Sequence, residues 1–159
     1  MTVEAAPLHR VEPGYRHVVR IHTALFWLPV AIAAVVADQL LLWATPFYGL
    51  ASILVPLLAL AVIILAPNRK YGRLGYALQP TLLRVVRGWL FHTDTIVPLV
   101  RVQHIDVTRS PLDKAFGTAT LVVHTAGTHN SIVTLPGLSP DNAAAIRDEI
   151  RQQIRTDFE

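Results

Sequence analysis

His104 and Asp106 stand two residues apart in RVQHIDVTRSPLDKAFG, the stretch that begins at Arg101. An imidazole beside a carboxylate is the raw material of general-base catalysis and of metal ligation. On a β-strand both side chains point to one face, because residues i and i+2 align. Zinc needs three or four ligands, however, and His92, His124 and His129 lie in other segments without ligand spacing. A serine nucleophile would sit in a strained turn, yet Ser110 precedes Pro111 and no G-x-S-x-G occurs. Neither a Gly-rich phosphate cradle nor a cysteine is present, which removes that phosphate chemistry along with thiolate sites and disulfides. The residues point away from an enzyme, a metal or a cofactor. His104, Asp106 and His124 are read instead as sheet residues forming a candidate interaction surface.

Those side chains need strands to carry them. Beyond Pro67 the chain breaks into short segments rich in Val, Ile, Leu and Thr, separated by Gly, Pro, Asn and Asp, the punctuation of a β domain. Candidate strands are GYALQ, TLLRVVRG, FHTDTIVP, HIDVTR, TATLVVHTA and SIVTL, with turns at 79–80, 88–89, 111–117 and 127–130. In TATLVVHT, alternation turns Ala119, Leu121 and Val123 to the core and Thr118, Thr120, Val122 and His124 to the other side. Val100 and Val102 fall on one parity and Ile105 and Val107 on the other, which predicts a bulge near Gln103. The period then changes: SPDNAAAIRDEIRQQI starts a helix over 139–155, with Ser139 as N-cap and Pro140 in the first turn. Ala143, Ile146, Ile150 and Ile154 make its apolar stripe.

The first half of the chain has a different solvent. With 52% hydrophobic and 16% charged residues and a mean hydropathy of +0.42, the 159-residue chain is too apolar for an ordinary soluble domain. Residues 23–44 form an apolar run of about 22 residues with Asp38 as its one charge, and residues 50–66 form an uncharged run of about 17. Together, 23–66 is a transmembrane hairpin, preceded by a segment 1–22 and followed by a domain 67–159. A secretory signal peptide fits less well, since the run is long, begins late and is followed by a second. Arg10, Arg16 and Arg20 precede the first run, Arg69, Lys70 and Arg73 follow the second, and the connecting turn has no Lys or Arg. The positive-inside rule then puts both termini in the cytoplasm, in a multi-pass membrane protein. Trp43, Phe47 and Tyr48 fall at the outer interface and Phe26 and Trp27 near the inner one, while Pro29 and Pro56 are kink positions. Asp38 lies about 9 Å of helix from the outer end, and no Lys, Arg or His in the second run can pair with it. It either snorkels toward the headgroups or lines a polar path built from several copies.

The segment from 96 to 150 resembles the bacterial pleckstrin-homology-like (PH-like) family, the membrane-flanked domain of YdbS-like proteins. The marks are VPLVRVQHIDV, the SPLDKAFGTATLVVHTAG block and LPGLSPDNA before the helix. The layout of two spans and one such domain extends the likeness over almost the whole chain. The resemblance implies a bent antiparallel barrel of about seven strands capped by the C-terminal helix. The strand beyond the six counted here is sought in GRLGYALQ or in a separate RVQ segment. In the PLDKAFG turn, Leu112 and Phe116 are then expected to plug the barrel mouth, with Gly117 taking a backbone geometry that side chains disfavour. The fold class is thus a membrane α-helical hairpin followed by a mainly β, PH-like barrel.

The resemblance implies no established chemistry. It implies a binding or scaffolding role beside another membrane protein carrying PH-like domains, or self-association. Many eukaryotic PH domains hold phosphoinositide with bases in the first strand connection; here that connection is LQPT, without a base, so that role is not carried over. The bases Arg69, Lys70, Arg73, Arg84 and Arg87 remain candidate contacts for anionic membrane lipids, worth roughly 1 kcal/mol per cation near the surface. Nucleic acid is excluded as a partner because the cations are few and no aromatic platform interleaves them. The reading is therefore an interaction or scaffolding module at the cytoplasmic face. The alternatives are a transport or channel subunit using Asp38, or an anionic-lipid-binding module.

Overall fold

The apolar runs fold as two helices, α1 (Gly14–Leu41) and α2 (Leu50–Gly72), each long and apolar enough to cross a membrane. The computed structural model describes residues 7–89, 91–126 and 132–156. Two units result: the hairpin Arg16–Arg69, and a β-rich unit made of the chain up to Tyr15 together with Lys70 onward. Helix α1 starts well before the apolar run at Thr23, because a polar sequence such as YRHVVR satisfies helical backbone bonds as well as an apolar one does. It ends before Trp43 and Ala44, which lie in the connection, where Thr45 N–H donates to Leu42 O and Tyr48 N–H to Thr45 O. Helix α2 continues past Ala66 through Pro67 to Gly72.

The β-rich unit contains two antiparallel sheets. The four-stranded sheet has the order β1 (His9–Arg10), β2 (Gly75–Gln79), β3 (Leu82–Arg87), β4 (Thr93–Pro98). The three-stranded sheet has the order β5 (Val102–Thr108), β6 (Ala119–Thr125), β7 (Ile132–Leu138). The sheets are not joined into a closed barrel, which corrects the barrel expectation: no ladder connects β4 to β5, where a 3-10 turn at Leu99–Arg101 intervenes. The seventh strand is also not where the sequence placed it. It is β1, which precedes the hairpin and pairs with β2 beyond it, His9 opposite Tyr76 and Arg10 opposite Gly75. The β5–β6 register shifts between Val102 and His104, the bulge expected near Gln103.

Alternation decides the core. Ala119, Leu121 and Val123 of β6 are fully buried in one core cluster with Leu83 and Val85 of β3 and with Leu135 and Leu138 of the adjoining β7. Helix α4 (Pro140–Thr156) presents Ala143, Ile146 and Ile150 to the same core, with Ile154 partly buried against it. Ile146 and Ile150 each contribute roughly 2–3 kcal/mol of burial. Ser139 caps α4 by accepting from Asn142 N–H at 3.3 Å, and Asn142 Nδ2 donates to the Tyr76 hydroxyl at 3.1 Å, tying helix to sheet.

The SPLDKAFGT stretch, expected as a turn, is a short helix α3 (Pro111–Ala115) with a capping box between Ser110 and Asp113. Leu112 and Phe116 are only half-buried there; the buried side chain is Asp113. Gly117 does have a positive φ of 66°. Thr118, assigned by alternation to the outer side, is fully buried, because its hydroxyl donates to Asp113 Oδ1 at 2.7 Å.

Candidate functional site

Strands β5 and β6 place His104 directly opposite His124, with Asp106 two residues along the same face. The three side chains meet: His104 Nε2 lies 2.8 Å from Asp106 Oδ1 and His124 Nε2 3.5 Å from Asp106 Oδ2, with the two rings 5.8 Å apart. One carboxylate thus bridges two imidazoles on a surface where His104 is 64% and Asp106 46% exposed. On the next strand Ile132, 54% exposed, stands opposite His124. Among the described residues no group of three or more His, Cys, Asp or Glu is arranged to hold a metal ion. His129 and the 127–130 turn lie outside the described residues, as does Ser131, the start of the SIVTL segment. Solvent-exposed pairings of this kind add little to stability. What the cluster offers is a shaped polar surface.

The five basic candidates separate into different environments. Arg84 on the outer side of β3 is engaged by Asp94 of β4, its Nε 3.0 Å from each carboxylate oxygen and its Nη2 2.5 Å from Oδ2. That hydrogen-bonded pairing holds the Asp94 carboxyl below its usual range. Arg69 is exposed near the polar end of α2. Arg73 Nη1 donates to the Trp89 carbonyl at 2.8 Å. Lys70 and Arg87 line one cavity of about 400 Å³ together with Tyr15, Trp89, Thr93 and Thr134. Arg87 has the same strand parity as Leu83 and Val85, both fully buried, but it stands at the end of β3. There its Nη1 meets Thr134 Oγ1 at 3.3 Å and Thr134 O at 3.5 Å. The sequence singled out Lys70 and Arg87 by charge. It missed Tyr15, Trp89 and Thr134, which come from distant segments and carry no shared local signal.

Asp38 is fully buried within the hairpin. Its Oδ2 accepts from Gly49 N–H at 2.9 Å and from the Ser52 hydroxyl at 2.5 Å, while Oδ1 has no partner among the described residues. Nearby, the Tyr48 hydroxyl donates to Gln39 Oε1 at 2.8 Å. The carboxylate therefore ties the end of α1 to the first turn of α2, the amino end that favours a negative charge. Asp38→Asn retains an amide oxygen as acceptor and is expected to change hairpin stability by less than about 1 kcal/mol. Asp38→Leu leaves Gly49 N–H and the Ser52 hydroxyl without that acceptor and should cost about 2–3 kcal/mol. Reversible unfolding in mixed micelles measures both, and a leucine variant as stable as the parent would refute this role.

Comparison with known proteins agrees with this architecture. The profile described as Bacterial PH domain matches residues 23–154. The transmembrane protein YdbS of Bacillus subtilis (strain 168) is 29% identical over 128 residues, covering 80% of this chain and 79% of the relative. No solved structure matches. With a capped helix over two antiparallel sheets, following two helices apolar enough for a membrane, the chain belongs to the bacterial PH domain family.

Proposed function

We propose that this protein is a membrane-anchored interaction module without enzymatic activity, presenting its PH-like unit at the cytoplasmic face of a bacterial plasma membrane. In this reading it docks another membrane protein or a second copy of itself. The charge distribution supports the orientation, with Lys and Arg before α1 and after α2 and none in the connection. Strand pairing supports a return to the same side: β1 and β2 flank the hairpin in sequence and share a ladder, so a hairpin that crosses the membrane comes back to the face it left.

The observation that carries the docking reading is the ordered surface of His104, Asp106 and His124, with Ile132 exposed beside it and β5 as an end strand of its sheet. A polar cluster next to an exposed aliphatic side chain and an open edge suits a partner that covers both. Asp38 is occupied in holding the hairpin turn, so no observation favours the transport reading.

The test is to solubilise the tagged protein gently from its native membrane, identify what co-purifies, and determine the mass of the complex. The triple substitution H104A/D106A/H124A should lose the partner, or the second copy, while the unfolding midpoint stays within a few degrees, because exposed pairs contribute little to stability. An assembly that keeps its mass in this variant would overturn the assignment of the surface.

A further inference from the structure

We infer that the β-rich unit binds a phosphate monoester in the cavity that Lys70 and Arg87 both line. This does not depend on the docking surface above. A guanidinium on the core-facing side of β3 is costly unless it meets an anion or keeps its water. Among the described residues no Asp or Glu lines the cavity beside Arg87, and its two long bonds to Thr134 are to neutral oxygens. Arg84, three residues earlier, shows the contrast, with its fork filled by Asp94. Lys70 is exposed and makes no ion pair or hydrogen bond among the described residues.

A planar fork and a flexible ammonium lining one cavity suit a tetrahedral anion. The hydroxyls of Tyr15, Thr93 and Thr134 add neutral donors. Trp89 also lines the cavity, its carbonyl accepting from Arg73 Nη1 at 2.8 Å, and so gives the carbon part of an ester an aromatic neighbour. About 400 Å³ falls within the roughly 300–1,000 Å³ of small-ligand sites and exceeds what a bare phosphate needs. Two sources supply this chemistry. Lys70 lies four residues, about 6 Å of helix rise, beyond Ala66, where the apolar run ends, so a lipid headgroup is within reach along α2. A soluble phosphate ester is the other.

The experiment uses the full chain in phosphatidylcholine nanodiscs, with W27F and W43F leaving Trp89 as the sole tryptophan of the original three. Glycerol 3-phosphate is titrated as the soluble probe, and phosphatidic acid is mixed into the nanodiscs as the lipid probe. A saturable change in Trp89 emission is expected with at least one: glycerol 3-phosphate alone identifies a soluble ligand, and phosphatidic acid alone identifies a headgroup. K70Q and R87Q should each weaken binding by about tenfold or more, the scale of one charge-assisted hydrogen bond, with R87K weakening it less. R151Q, which removes the same charge from the exposed side of α4, should change it by less than about twofold. If R87Q fails to fold, K70Q decides, since Lys70 is exposed and unpaired among the described residues. No saturable response to either probe, or equal losses in K70Q and R151Q, would overturn the site.

Discussion

Asp113→Ala is expected to destabilise the β-rich unit by about 4 kcal/mol, because it removes one buried carboxylate that satisfies several donors at once. Asp113 Oδ2 accepts from Ser110 N–H at 3.0 Å and from the Ser110 hydroxyl at 2.6 Å, and Oδ1 accepts from the Thr118 hydroxyl at 2.7 Å. Its backbone closes the loop from both sides, N–H donating to Ser110 Oγ at 3.1 Å and O accepting from Thr118 N–H at 2.8 Å. A five-residue helix has too few internal bonds to persist alone, so these contacts define α3 and the entry to β6. In the alanine variant the fully buried Thr118 hydroxyl loses its acceptor next to the core strand. Asp113→Asn keeps one oxygen for Thr118 but turns an NH2 toward the Ser110 donors, and should cost about half as much. Chemical unfolding of the full chain in detergent, followed by β-sheet circular dichroism, reads both, and a loss below about 1 kcal/mol for alanine would remove the box from the account.

Gly137→Ala should cost about 3 kcal/mol for two separable reasons. Gly137 has φ +80°, where an L side chain adds roughly 1–2 kcal/mol of strain. An added Cβ would also stand 2.7 Å from Tyr15 Cγ and 2.8 Å from Tyr15 Cβ, inside any real contact, so the ring must move. The displaced segment is held next to β7 by Glu12 N–H donating to Gly137 O at 2.7 Å. In a Tyr15→Ala background the same substitution should cost only the backbone share, roughly 1–2 kcal/mol. Equal costs in the two backgrounds would show that the ring yields freely. Tyr15 also lines the Lys70–Arg87 cavity, so Gly137→Ala should weaken phosphate-probe binding there as well.

The parts of the molecule readable from residue order are those governed by side-chain direction within one element. Period-two alternation placed Ala119, Leu121 and Val123 in the core, and the slip of parity near Gln103 marked a real shift of register. The 3.6-residue stripe of α4 and its Ser139 cap followed from the same local geometry, as did two helices apolar enough to cross a membrane. His104, Asp106 and His124 could be assigned to one face because strands β5 and β6 alternate, although their close approach depended on the bulged pairing of the two strands.

What residue order left open depends on contacts between distant segments. His9–Arg10 is too short and polar to show any period, and becomes a strand only because Gly75 and Tyr76 return beside it after the hairpin. Thr118 broke the alternation rule since a hydrogen bond to Asp113 outweighed the preference of its parity. Asp38, read as snorkelling toward the headgroups or lining a polar path, found Gly49 and Ser52 once the helices folded back on each other. The Lys70–Arg87 cavity gathers side chains from the start of α1, the end of α2, β3 and β7. Periodicity describes one element's own faces; which faces meet, and whether two sheets close into a barrel, is set by long-range packing and ladder bonds that no local pattern encodes.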